Sequence, residues 1–415
     1  RAEDFYRQAH RAAFSAMEGL VRAGEPVDIV TVTEALKKAG HLDQVGGISF
    51  LANLTNAVPS TANLEHYAKI VKEKSILRSL IDVSTEIAGA AYEGSDEIGQ
   101  QLSDAERKIF AISSGQNTAE FTPAERVVFD AVERISELSE SKGGITGLPT
   151  GLASLDSVTR GLQPSDLIIV AARPAMGKTA FVLNVATHAA LQGKTVAFFS
   201  LEMNKKQLGL RLICAGSGVP SEKIKNKEIT GDDFDAITNE ANRISLANLY
   251  IDDNPHISPM EILSKCRRLK EERGLDLVII DYLQLMEGSR KNYGENRQQE
   301  ISDISRGLKI LARELNVAVV ALSQLNRSVE GRMNKRPLLS DLRESGSLEQ
   351  DADMILFLYR DEYYHPDTEK KGQCEVIVSK NRNGEIGTAT LFFDAPVTRF
   401  YPFAKQTRAR SIEEE

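Results

Sequence analysis

Several ingredients of common protein chemistries are scarce in this chain of 415 residues. Its three cysteines, Cys214, Cys266 and Cys374, are odd in number and far apart. That spacing excludes a paired zinc site or a redox motif and reads as buried thiols in a reducing cytoplasm. The six histidines are scattered singly, which supports neither a metal cluster nor a histidine-based catalytic group. No uninterrupted apolar run approaches the ~20 residues that a membrane helix needs, so a soluble protein is expected. No signal peptide is visible. The chain opens at Arg1, without a methionine, straight into the helical pattern of Asp4 to His10, and reads as one whose upstream residues are missing. Positive charge is short as well: 51 Lys and Arg stand against 59 Asp and Glu, a net charge of −8. A surface that coats nucleic acid all over is thereby excluded, whereas a local basic channel is not.

At about 150 residues per domain the length points to two or three domains, and a hydrophobic content of 41% is ordinary for a globular protein. Residues 1–113 carry helical periodicity. Leu64, Tyr67, Ala68, Val71 and Ser75, then Ile76, Leu80 and Val83, recur at spacings of three and four, ahead of a second helical stretch at about 102–112. Pro59-Ser60-Thr61-Ala62-Asn63 reads as a helix start. This all-helical domain holds no catalytic constellation and reads as a scaffold or docking module. Residues 114–145 form a linker. Within it Thr122-Pro123-Ala124-Glu125 is a capping box that opens a helix over about 122–140, with Val128, Ala131, Ile135 and Leu138 as its apolar stripe. A helix this short is not stable alone, so its stripe must bury against its own domain or a neighbouring subunit. From 146 to 404 strands alternate with helices, at 167–172, 195–200, 249–252, 276–280, 317–322, 354–358 and 374–379. Alternation of this kind predicts an α/β domain with a mostly parallel sheet. The polar tail, 405–415, is expected to fray.

The densest chemical signal is Leu167 to Phe181. An apolar run leads through Ala172-Arg173-Pro174-Ala175-Met176-Gly177-Lys178-Thr179-Ala180 into a helical pattern. A buried strand feeding a helix through such a loop suits a nucleoside triphosphate, because backbone N–H groups and the helix N-terminus face the phosphate oxygens. Lys178 would reach the β- and γ-phosphates and Thr179 would ligate Mg²⁺. The general pattern has glycine at both ends of the loop, and Ala172 replaces the first. Glu202 follows the strand 195–200 and would share the crevice at the strand ends, where a carboxylate can orient and deprotonate the attacking water. Leu277-Val278-Ile279-Ile280-Asp281 supplies a second acid, placed to hold Mg²⁺. Gln324, at the end of the strand 317–322, reads equally as a γ-phosphate contact or as a plain polar strand end. Lys380 and Arg382 project from one face beside Asn383-Gly384, a strong short hairpin signal. Two cations on a hairpin tip can stabilise phosphoryl charge, most simply in a neighbouring subunit. Two polar loops, Gly288 to Arg297 and Asn326 to Ser347, follow the strands ending at Asp281 and Gln324. The second holds Arg327, Arg332, Lys335, Arg336 and Arg343 against Glu330, Asp341 and Glu344. Such a count fits contact with a nucleic-acid backbone, and equally a solvated loop.

Ala172 to Thr179, Ser200-Leu201-Glu202-Met203, Ile280 to Leu285, Ser323-Gln324-Leu325, Arg343-Glu344-Ser345-Gly346-Ser347 and Lys380-Asn381-Arg382-Asn383-Gly384 resemble, in order, the DnaB-type replicative helicases of bacteria and phages. Val58-Pro59-Ser60-Thr61-Ala62-Asn63 extends the resemblance into the helical domain. The resemblance implies a homohexameric ring of RecA-like P-loop ATPase domains moving 5′ to 3′ on single-stranded DNA and unwinding forked DNA. It implies ATP and Mg²⁺ as cofactors, bound between subunits. Lys178, Thr179, Glu202, Asp281 and Gln324 would act from one side, Lys380 and Arg382 from the next. Arg343, Glu344 and Gly346 would hold the DNA backbone. The linker helix would dock on the adjacent subunit, and the helical domain would be the collar that binds primase. A helicase loader would be a further partner, and the protein would be cytoplasmic, on the nucleoid during replication. The collar's first residues are absent from this sequence, and the segment after about Phe400 departs from the family's pattern. A RecA-like filament protein is the competing reading of the ATPase core, but it has no use for the collar or linker helix. A primase-recruiting platform whose ATPase only controls assembly is the third.

Overall fold

The computed structural model describes residues 1–57, 63–94, 98, 101, 104–105, 108–109, 112, 123–129, 132, 144–286 and 297–403. It divides into two compact units, Arg1–Val127 and Val128–Glu415. In the first, helices Gln8–Ala23, Ile29–Lys38, Leu42–Val45 and Gly47–Ala57 enclose a small core of Ala13, Leu20, Val32, Leu36, Val45 and Leu51. Asp28 starts the second of these helices, its carboxylate accepting from the N–H groups of Val30 and Thr31. The expected periodic helix is Leu64–Glu93, and none of its residues is buried. Pro59 to Ala62, Leu102, Thr122, and Ala131, Ile135 and Leu138 of the apolar stripe lie outside the described residues. Residues 124–129 are helical, and the carbonyl of Pro123 accepts from the N–H groups of Arg126 and Val127. Val127, Val128 and Phe129 of this helix are exposed.

The second unit is built on one nine-stranded sheet: β1 Leu167–Ala172, β2 Val196–Ser200, β3 Leu249–Asp252, β4 Leu277–Asp281, β5 Ala318–Gln324, β6 Met354–Tyr359, β7 Gln373–Asn381, β8 Gly387–Asp394 and β9 Arg399–Pro402. Their order is β3-β2-β4-β5-β1-β6-β7-β8-β9. The first six strands are parallel to one another, and β7 to β9 add an antiparallel edge. Every residue of β1, β2, β4 and β6 is buried, the condition of strands covered on both faces by helices. β8 alternates instead, burying Ala389, Leu391 and Phe393. Because β1 sits between β5 and β6, the chain leaves it in one direction to form β2 and crosses to its other side to form β6. That reversal of winding opens a crevice at the carboxyl ends of the central strands.

The hairpin differs from the tight turn that Asn383-Gly384 signals. The last β7–β8 pair is Val378 with Gly387, and neither Asn383 nor Gly384 takes the positive φ of such a turn. Lys380 and Asn381 pair with β6 instead. The tip is held by side chains: Asn383 donates to the Asp166 carboxylate and Asn381 to the Glu385 carbonyl.

Candidate functional site

The phosphate loop runs from the end of β1 into the helix Lys178–Leu191. Gly177 takes φ 95°, and a Cβ there would also stand 3.4 Å from the rings of Phe393 and Phe400. Glycine is therefore required at the second glycine position of the pattern. Ala172, at the first, is the final residue of β1, completely buried and paired with Gln324. Its backbone is an ordinary strand, which any small residue can adopt. Arg360, just past β6, donates to the carbonyl of Ala175 and lies over the Phe393 ring. It pins one carbonyl of the loop.

Strand register collects the predicted residues at one edge. Ala172 pairs with Gln324, and Ser200 with Asp281, while the N–H of Leu201 donates to the Asp281 carbonyl. Glu202 follows immediately and is exposed. Lys178 Nζ donates to the carbonyls of Ala172 and Ser323, 3.1 Å each. Burial pushes its ammonium down to about 8, against the pull of Asp281 and Glu202. Asp281, 1% exposed, is pushed up to about 6 by burial, with Glu202 adding to the rise and the Thr179 hydroxyl and Lys178 opposing it. Its Oδ2 is buried without a hydrogen-bond partner. An unsatisfied carboxylate oxygen beside a hydroxyl is a pair of hard donors, which suits Mg²⁺. Thr179 and Asp281 thus fit the metal assigned to them.

Three contacts escaped the sequence reading, those of Gln284, of the Arg173 side chain and of Arg360. The amide of Gln284 donates to Ser323 Oγ at 2.9 Å, linking the segment after β4 to the end of β5. The guanidinium of Arg173 is taken up by the Leu325 carbonyl and the Glu330 carboxylate, so the loop's backbone is what this residue offers a phosphate. The rule that ligands sit at strand carboxyl ends was already a signal for Arg360.

The remaining candidates lie elsewhere. Arg343 and Glu344 fall in a 3₁₀ turn, Leu339–Ser345, and Gly346 opens the helix Gly346–Asp351. Free positive charge in this loop is less than the residue count implies. Arg332 pairs with Asp341, Arg336 with Glu375, and Lys335 lies over the Tyr364 ring. Lys380 donates to the carbonyls of Glu349 and Gln350, while Arg382 bonds the Gln350 carbonyl and the Asp353 carboxylate. Since Asp353 also accepts from the N–H of Leu167, both cations stand at the start of β1 and the phosphate loop at its end.

Two family models cover this chain: the DnaB-like helicase N terminal domain over residues 1–73 and the DnaB-like helicase C terminal domain over residues 147–402. The chain belongs to the DnaB-like helicase family. It is 49% identical to the replicative DNA helicase DnaB of Geobacillus stearothermophilus, over 96% of this chain and 88% of the relative. Against the replicative DNA helicase DnaB of Pasteurella multocida it is 45% identical, over 99% and 89%. Among solved structures, a DnaB-like replicative helicase described with its interactions with primase superposes with a TM-score of 0.77 at 36% identity, covering 97% of this chain and 94% of that one. The ATPase domain of G40P gives a TM-score of 0.65 at 42% identity, covering 68% and 100%. As a DnaB-like helicase the chain is an ATP-hydrolysing replicative DNA helicase with a RecA-like ATPase domain.

Proposed function

We propose that the protein works as a homohexameric ring that moves 5′ to 3′ along single-stranded DNA, with each ATP held between two subunits. The observation that carries this reading is the position of Lys380 and Arg382. They sit one length of β1 from their own phosphate loop, about 17 Å for five residue steps, a gap no side-chain rotation closes. Cations so placed serve a phosphate only when another chain supplies it; head-to-tail contacts of that kind build a ring where their rotation closes and a filament where it does not, and the helical N-terminal domain, for which a filament has no use, favours the ring.

In this reading the backbone of Ala172 to Ala180 cradles the phosphates. Lys178 leaves the carbonyls of Ala172 and Ser323 for the β- and γ-oxygens, and the carbonyl it releases adjoins Gln324, which reads the γ-phosphate. Thr179 and Asp281 hold Mg²⁺, which neutralises charge on the β- and γ-phosphates when bound. Glu202 orients the attacking water and takes its proton. Lys380 and Arg382 of the neighbour meet the charge that develops on the transferred group. Arg343, Glu344 and Gly346 contact the DNA backbone. The exposed Val127, Val128 and Phe129 support the docking of the linker helix on an adjacent subunit. Residues 1–113 form the primase-binding collar, 114–145 the linker and 146–404 the motor. A helicase loader completes the partners, and the protein acts in the cytoplasm, at the nucleoid during replication. Among the described residues no helix is long and apolar enough to cross a membrane.

Mixing two inactive variants tests the shared site. Rings assembled from equal parts Arg382→Ala and Lys178→Ala chains contain intact sites only if the two residues come from different subunits, and about a quarter of sites are then restored. Hydrolysis by the mixture above that of either parent is the expected result. A mixture as inactive as its parents refutes the arrangement, and unwinding of forks loaded through a 3′ tail refutes the polarity.

A further inference from the structure

We propose that Arg173 is a positioning residue that couples the phosphate loop to the DNA-contacting segment, acting through Leu325 and Glu330. The proposal rests on the assignment of Arg343, Glu344 and Gly346 to DNA made above. Arg173 is the first residue of the loop after β1, and its side chain is only 8% exposed. Pro174 follows it, which confines its backbone to the extended region and fixes the direction of the side chain. Nη1 donates to the carbonyl of Leu325 at 2.8 Å, while Nε and Nη2 hold Glu330 Oε1 at 2.9 and 2.7 Å. A planar guanidinium suits this three-point grip, and a lysine does not.

What Arg173 grips is the entrance to the second loop. Leu325 directly follows Gln324, and Glu330 belongs to the 3₁₀ turn Arg327–Gly331, anchored by the completely buried Val329. From there the N–H of Asn326 donates to the carbonyl of Asp341. The Asp341 carboxylate in turn receives Arg332 and the N–H of Leu338. Asp341 lies inside Leu339–Ser345, the turn that carries Arg343 and Glu344. A continuous set of hydrogen bonds therefore leads from the phosphate loop to the DNA segment.

Lys178 and Arg173 also flank Gln324. The first holds the carbonyl before it, Ser323, and the second the carbonyl after it, Leu325. A triphosphate draws Lys178 off Ser323 but offers nothing to Arg173, whose charge Glu330 already matches. Arg173 then remains the fixed link that moves the loop beyond Gln324 with the phosphate loop. The link is energetic and reciprocal: whatever factor nucleotide contributes to DNA affinity, DNA contributes to nucleotide affinity.

The test uses the full chain with Mg²⁺, a fluorescein-labelled oligothymidylate and AMPPNP. The coupling factor is the oligothymidylate Kd without AMPPNP divided by that with it. Glu330 is 45% exposed on its side chain, so Glu330→Gln removes the charge of the grip while keeping the size of the side chain. In Glu330→Gln the DNA-free ATPase rate is expected within about twofold of the parent, while the coupling factor falls by about fivefold or more toward one. The reverse factor, oligothymidylate on AMPPNP affinity, falls in step. Arg173→Lys, which keeps charge and loses the fork, lowers both factors as well. A coupling factor in Glu330→Gln within about twofold of the parent overturns the proposal, as does a parent factor near one. The factor is measured without reference to which residues touch DNA. Unchanged oligothymidylate affinity in Arg343→Ala thus overturns the DNA assignment alone.

Discussion

Restoring glycine at the first position of the phosphate-loop pattern, Ala172→Gly, should weaken the protein and leave nucleotide binding alone. Ala172 is completely buried at the end of β1, where it pairs with Gln324. Its carbonyl accepts both Lys178 Nζ at 3.1 Å and the N–H of Leu325 at 3.3 Å. Removing the methyl loses about 0.8–1 kcal/mol of apolar burial, since a buried methylene is worth about 0.8. Glycine in a strand interior costs about 0.5–1 kcal/mol more in backbone entropy. The sum, about 1.3–2 kcal/mol, lowers the melting temperature by about 3–8 °C at 2–4 °C per kcal/mol for a domain of this size. Glycine can keep the strand backbone with which Ala172 enters the phosphate cradle, so the KM for ATP should stay within about twofold, since less than 0.5 kcal/mol of binding is at stake. Melting by circular dichroism without nucleotide, together with steady-state ATPase assays, measures both quantities. An unshifted melting temperature with a lower KM refutes the assignment of Ala172 to the strand instead of the loop.

Glu202→Ala should lower ATP hydrolysis by about 10²–10⁴ and abolish unwinding, with nucleotide binding retained. Fork unwinding at the parent rate in this variant would remove Glu202 from the mechanism. For Asp281, the folded carboxyl sits at about 6 against an ordinary 3.8. Its stabilising contribution is therefore present below 3.8 and lost as pH rises through about 6. Lys178, lowered from 10.5 to about 8, behaves as the mirror image, its contribution present above 10.5 and lost as pH falls through about 8. Both charged groups thus weaken the metal-free fold at neutral pH. Two pKa units set a ceiling of about 3 kcal/mol, and the loss of Lys178's partner keeps the gain in Asp281→Asn below that ceiling. In EDTA near pH 7 this variant should melt a few degrees higher than the parent, by less near pH 5, while losing Mg²⁺-dependent hydrolysis. A lower melting point at neutral pH contradicts the burial argument.

Much of the motor was legible in the chain because its signals are local. An apolar run followed by Gly177-Lys178-Thr179 reports a strand, a loop and a helix start, since each depends on a few adjacent residues. Asp281 and Glu202 were legible through the rule that strand ends converge, and the register of β1, β2, β4 and β5 brings them together. The hairpin tip was read less well. The preference of Asn383-Gly384 for a tight turn is a fraction of a network that includes the Asp166 carboxylate, far away in sequence. Loop charges stayed undecided in the sequence for the same reason: Arg332, Lys335 and Arg336 count as free cations until Asp341, Tyr364 and Glu375 are placed beside them.

Sequence alone determined that this chain grips a triphosphate and which residue types attend it, because phosphate loops are defined by backbone conformation that a few residues enforce. Tertiary structure decided direction. β7 runs antiparallel to β6, which carries Lys380 and Arg382 to the far end of the sheet from their own phosphate loop. The fold likewise turned Arg173 from a loop residue into a link to Glu330. Where a side chain points depends on which distant strand or carboxylate lies next to it, and that neighbour exists only once the sheet has formed.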